Sequence, residues 1–154
     1  MQETIKPVGK VEVVLYDKDG KVKEERFRHN MLMRGGRDWL CAHIGGGTGA
    51  SQMHFIAIGS GGSTVAASTQ TQLYGEEARS DEATYAHTAD TASFSLVKTF
   101  IAGVGTGAID EAGVFNMEAA AGGTMLCRQV FSVINKGASD TLKITWTIDL
   151  GAIA

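Results

Sequence analysis

A chain of 154 residues with 44% hydrophobic and 20% charged positions is long enough to bury one core and lies far from the compositions that stay disordered. Its formal net charge of −3 argues against an overall basic surface that neutralises phosphates, so nucleic acid is not an expected partner. No stretch approaches the roughly 18 apolar residues that cross a bilayer, and Met1-Gln2-Glu3-Thr4-Ile5-Lys6 lacks the apolar core of a secretion signal, so the chain reads as made in the cytoplasm with no membrane partner.

Twenty glycines against a single proline, amid abundant Ala, Ser and Thr, point to many turns and few helices. Residues 1–9 are polar, aperiodic and hold Pro7, which predicts an extended arm ahead of one β-sandwich domain over residues 10–154. Val11 to Tyr16 is β-branched and partly alternating. Asp17-Lys18-Asp19-Gly20 supplies turn chemistry, and Lys21 to His29 continues as a strand with only Val22 and Phe27 apolar. This is a hairpin whose second strand, rich in charge, belongs near a sheet edge. After a Gly35-Gly36 break, Trp39, Leu40 and Ile44 share one helical face, predicting a short helix near residues 36–44 that stops at Gly45-Gly46-Gly47.

Met53 to Ile58 is a short apolar run bounded by glycines, as in a strand buried on both faces. Gly59 to Gln72 is the longest loop candidate, and the charged stretch Leu73 to Ala83 fits either a helical turn or an extended crossing. Extended sequence resumes at Thr84 and is clearest from Ala92 to Ile101, whose end reads as buried on both faces, before a Gly103–Gly107 turn. Ile109 to Met117 alternates, with Ala112 and Val114 opposite Gly113 and Phe115. Ala119–Gly123 turns, and Thr124 to Ile134 forms a strand with Met125, Cys127, Gln129, Phe131 and Val133 on one side and Leu126, Arg128, Val130, Ser132 and Ile134 on the other. Asn135–Asp140 then leads to Leu142–Leu150, where every even position is apolar and every odd one Lys, Thr or Asp. About seven strands joined by glycine-rich turns predict an all-β fold, an antiparallel β-sandwich or jelly roll with one short helix.

Chemistry-bearing residues are scattered. Asp17-Lys18-Asp19-Gly20 opens like a calcium loop, but the later ligand positions would be Lys21 and Arg28, which leaves a hairpin turn. His29, His43, His54 and His87 stand singly, without zinc spacing. Gly103-Val104-Gly105-Thr106-Gly107 lacks the helix and third glycine of a dinucleotide loop, and Gly59-Ser60-Gly61-Gly62 lacks the frame of a nucleophile elbow. The neighbouring carboxylates Asp110-Glu111 and Asp81-Glu82 point to opposite faces if extended and read as solvated surface. Trp39 and Trp146 read as core, and Cys41 and Cys127, amid apolar neighbours, as buried reduced thiols. The residues offer no catalytic, cofactor-binding or metal-ligating constellation, and no enzyme activity is expected.

Four pieces of the chain are similar to a kind of tailed-bacteriophage virion protein: Ile58-Gly59-Ser60-Gly61, Glu111-Ala112-Gly113-Val114-Phe115-Asn116, Gly122-Gly123-Thr124-Met125-Leu126-Cys127-Arg128 and Ile144-Thr145-Trp146-Thr147-Ile148. The resemblance implies a structural protein most like the small capsid decoration, or cement, proteins. It implies a place on the capsid surface, the major capsid protein as partner and a homo-oligomer, dimer or trimer, and it carries over no catalytic residues. A tail fibre or baseplate component that binds host glycan is the alternative. Residues 1–9, Gly45–Ser51 and Gly59–Gln72 are the expected contact segments.

Overall fold

The computed structural model describes residues 8–45, 51–79, 81–120 and 122–150. They form β1 (Val8–Tyr16), β2 (Val22–His29), α1 (Arg34–Ile44), β3 (Phe55–Gly59), β4 (Glu76–Ala78), β5 (Thr84–His87), β6 (Ser93–Phe100), β7 (Gly107–Phe115), β8 (Met125–Lys136) and β9 (Thr141–Asp149). Five strands pair in the order β2-β1-β9-β6-β5 and four in the order β4-β3-β7-β8, every pairing antiparallel. The fold is thus an all-β sandwich with one short helix.

The strict alternation of β9 organises the core, because this strand is central in the larger sheet and packs on one face only. Leu142, Ile144, Trp146 and Ile148 are at most 2% exposed. They join Val11, Val13 and Leu15 of β1, Leu96 and Phe100 of β6, and Ile56, Ile58, Ala112 and Val114 from the smaller sheet in one cluster. Each such side chain contributes roughly 1.5–3 kcal/mol through burial. Strand β3 is closed on both faces as its apolar run predicts, with Ala57 in a second cluster beside Leu73, Phe115 and Met125 on the opposite side of the smaller sheet.

Several expectations shift. The arm predicted over residues 1–9 gives way at Val8, where β1 already pairs with Asp149 of β9; residues 1–7 lie outside those described. The helix starts at Arg34 and runs through the glycine pair. A Cβ on Gly36 would stand 2.6 Å from the Leu126 Cα, so the missing side chain lets the helix press onto the β8 backbone. Its first N–H groups are satisfied by neighbouring chain, Met33 donating to the Leu126 carbonyl at 2.9 Å and Arg34 to that of Ser68 at 2.7 Å. Ile44, expected on the packed face, is 75% exposed. The segment Leu73–Ala83 is an extended crossing that contains β4, and Ile101 at the end of β6 is 62% exposed rather than buried.

Strand β8 departs most from its pattern. Ile109 faces Ile134 while Glu111 faces Val130, so a bulge interrupts the β7–β8 register. The alternation changes phase there, and Ile134 joins Phe131 in the core instead of opposing it.

The turn before β9 is closed by Asp140, whose carboxylate accepts from Lys23 Nζ at 2.7 Å and from the Gly137 N–H at 2.8 Å. The Lys23 hydrogen bond, helped by Gly137, holds this carboxyl below its ordinary value of 3.8. A depressed acid stabilises the fold above the ordinary carboxylate range, and that contribution is lost as pH falls through the lowered value. Asp140→Asn is therefore expected to reduce the urea midpoint near neutral pH, with the gap to the unaltered protein narrowing as pH falls below the ordinary value of 3.8. A gap that is constant from neutral to acid pH would rule out this linkage.

Candidate functional site

The outer face of the smaller sheet is covered by the loop that connects β3 to β4, and Arg128 fastens the covering. Glu111 on β7 and Arg128 on β8 are both fully buried, and Arg128 Nη2 stands 2.7 Å from Glu111 Oε2. Glu111 Oε1 accepts backbone N–H groups of Gly61 at 3.1 Å and Gly75 at 2.7 Å, and Oε2 accepts Tyr74 N–H at 3.3 Å and Arg128 Nε at 2.8 Å. Arg128 Nη1 donates to the Thr64 carbonyl at 3.0 Å and to Gln70 Oε1 at 2.9 Å, and Nη2 donates to the Gly61 carbonyl at 3.1 Å. Four of the five guanidinium N–H groups thereby donate hydrogen bonds, and both carboxylate oxygens are filled.

The adjacent Asp110 reaches the same loop, accepting the Gly62 N–H at 2.7 Å. Backbone approaches this closely only because the loop is built of glycine: a Cβ on Gly61 would lie 2.3 Å from Glu111 Oε1. A second fastening lies beside it. The side chain of Arg79 is fully buried, grips Glu76 through Nε at 2.9 Å and Nη2 at 2.6 Å, and donates Nη1 to the carbonyls of Met117 and Gly122, each at 3.0 Å. Its guanidinium sits 3.5 Å above the Phe115 ring.

The reading of Asp110-Glu111 as solvated surface is therefore corrected. Glu111 is interior, and the β7–β8 irregularity lets both carboxylates serve one loop. Nothing local in the sequence signals this, because the cation that neutralises Glu111 lies on the next strand. Three of the four pieces quoted for their resemblance, those carrying Gly61, Glu111 and Arg128, meet in this cluster.

The other candidates fall elsewhere. Asp17 Oδ1 accepts the N–H groups of Asp19 and Lys21, each at 2.9 Å, inside a hairpin turn in which Gly20 has φ +78°. Gly103–Gly107 forms the β6–β7 turn, and Gly59–Gly62 opens the fastened loop. Asp81 lies 3.5 Å from Lys98. Trp146 is core, its indole N–H donating to Asn30 Oδ1 at 3.1 Å, while Trp39 is only partly buried. Cys127 is a buried free thiol whose ionisation burial disfavours, but Cys41, expected inside, is an exposed free thiol on α1. Among the described residues, no three His, Cys, Asp or Glu side chains converge as metal ligands.

The fold does bring two of the scattered histidines to one place. At the end of the sandwich where β5 and β9 finish and β6 and β8 begin, α1 overhangs the gap between the sheets. A cavity of about 350 Å³ opens there, lined by Leu32, Leu40, Met53, Phe94, Leu126 and Ile148, with His43, His54, Tyr85 and Trp39 around them. His43 stacks on Trp39 at 4.8 Å between ring centroids, and His54 Nδ1 is 3.9 Å from Glu82. The Trp39 indole N–H is shut off from solvent without an acceptor among the described residues. An apolar hollow with a few polar groups at its rim has the composition of a binding site.

A scan against protein-family models gave no match for the chain, and searches of curated proteins and of solved structures gave none either.

Removing one partner of a buried ion pair strands the other charge, so Glu111→Gln or Arg128→Met should each destabilise by about 3–5 kcal/mol in urea unfolding. The double variant should lose less than the sum of the two, because neither charge is then left alone. Single variants within about 1 kcal/mol of the unaltered protein would show that the pair does not fasten the loop.

Proposed function

We propose that this chain is a bacteriophage head decoration protein that binds neighbouring major capsid protein subunits as a homo-oligomer and so stabilises the shell. The observation that carries the reading is the fastened loop. The buried Glu111–Arg128 pair holds the β3–β4 loop in place on the smaller sheet, and the loop holds up Val65, 80% exposed, and Tyr74, 54% exposed. Side chains of this kind presented on a rigid support suit a surface that is covered by a partner, since little ordering entropy remains to oppose association. The similarity of the Gly61, Glu111 and Arg128 pieces to virion proteins supports the same reading, and these are the residues that build the support. Clamping across subunit junctions stabilises a shell by mass action, because the decoration protein binds the assembled state and not the dissociated one.

Immunogold labelling or cryo-imaging of purified virions tests the location. Label on heads is expected, label on tails would transfer the chain to the tail or baseplate class, and absence from virions would dispose of both. On undecorated shells, the purified protein should raise the temperature of shell disruption. Val65→Asp should reduce occupancy at least tenfold while leaving the circular dichroism unchanged, since this side chain has little packing to lose.

A further inference from the structure

The four sheet edges are protected very unequally. The β8 edge is blocked by Arg26, which donates Nε to the Ser132 carbonyl at 3.0 Å and Nη2 to that of Val133 at 2.9 Å. Strand β2 is charged along its length, and β4 is three residues long with two glutamates. Strand β5, Thr84–His87, is short as well, with four residues, but it carries no carboxylate, lysine, arginine or proline, every residue is exposed, and among the described residues it pairs only with β6.

This open edge adjoins the cavity described above. Tyr85 faces inward opposite Leu96 and lines the apolar hollow. A second hollow of about 340 Å³ shares Gln52 and His54 with the first, and its rim carries Glu82 and Glu118. The two hollows meet at Gln52 and His54, giving a groove with an apolar half, lined by Tyr85 of β5, and an acidic half.

We infer that this groove binds an extended segment of a partner polypeptide, which adds to the β5 edge and carries a bulky apolar residue and a lysine or arginine two positions apart. Residues at that spacing share one face of a strand, and their separation of about 7 Å suits adjoining pockets. The apolar side chain fills the first hollow, and the cation sits against Glu82 and Glu118. Main-chain pairing supplies affinity and the two pockets supply selectivity. The inference stands apart from the virion reading, since it concerns the opposite feature of the molecule, an open edge rather than the fastened loop.

The test uses the full chain and a fluorescein-labelled peptide Gly-Thr-Lys-Thr-Leu-Thr-Lys-Thr-Gly, which presents the spacing in either strand direction. Anisotropy should rise saturably with a Kd of about 10–100 μM. Leu40→Lys, at the mouth of the apolar half, should weaken binding about tenfold, as should Glu82→Lys combined with Glu118→Lys. The charge-reversed protein should in turn prefer the peptide with both lysines replaced by glutamate, an exchange of preference that a general loss of structure does not produce. No saturation below about 1 mM, or binding indifferent to the charge reversal, would overturn the inference. So would uptake of a small apolar dye without any response to the peptide, which would make the cavity a small-molecule site.

Discussion

The outer layer of the smaller sheet depends on the ion pair between Glu111 and Arg128. Neither side chain reaches solvent, and between them they engage the backbone of Gly61, Thr64, Tyr74 and Gly75 together with the Gln70 side chain. A loop this long would otherwise lie over an apolar sheet with few hydrophobic residues of its own; Leu73 is the one fully committed to packing there. A buried pair of this type offsets its own desolvation only when further hydrogen bonds satisfy it, and here Arg128 makes four while both Glu111 oxygens accept. Its consequence is therefore geometric more than energetic. Slack in the loop would leave charge uncompensated, so the covering has one permitted arrangement.

The inner core follows a different logic. It is almost wholly apolar, and it holds the sheets together without specifying what lies outside them. Burial sets the sandwich, and hydrogen-bonded charge sets the surface layer. The division explains how glycine is used. In the loop, missing side chains admit the carboxylate, and in α1 Gly36 admits the β8 backbone, so that close approach to a polar or backbone group replaces interdigitated side chains.

The same division governs what could be read from the sequence. The larger sheet was legible wherever one face is buried and the period is two, as in β9 and in the β1–β2 hairpin with its Asp-Lys-Asp-Gly turn. The double burial of β3 was legible too, because an apolar run between glycines has few other uses. Legibility failed at Glu111, where adjacency to Asp110 suggested solvated surface and the neutralising cation is 17 positions away. It failed along β8, where the bulge changes the phase of an otherwise regular pattern. It failed again at the end cavity, whose polar members His43 and His54 belong to different elements joined through residues outside those described. Each failure has one cause, since charge pairing, bulges and concavities are properties of tertiary neighbours rather than of local period.

A sandwich has four edges, and what a chain does with each is an economical guide to what it binds. Here the edges facing one side are turned against each other, because Arg26 of β2 occupies carbonyls of β8 and so uses one edge to close another. On the far side the chain crosses between the sheets from β4 to β5, anchored by Ala83 N–H on the His54 carbonyl at 2.7 Å. The outer edge of β5, which carries no charged residue, lies on that side. Protection of an edge is achieved cheaply elsewhere in this molecule, by single charged residues, so its absence at four consecutive uncharged positions beside an apolar hollow is the asymmetry that a binding role explains and packing alone does not.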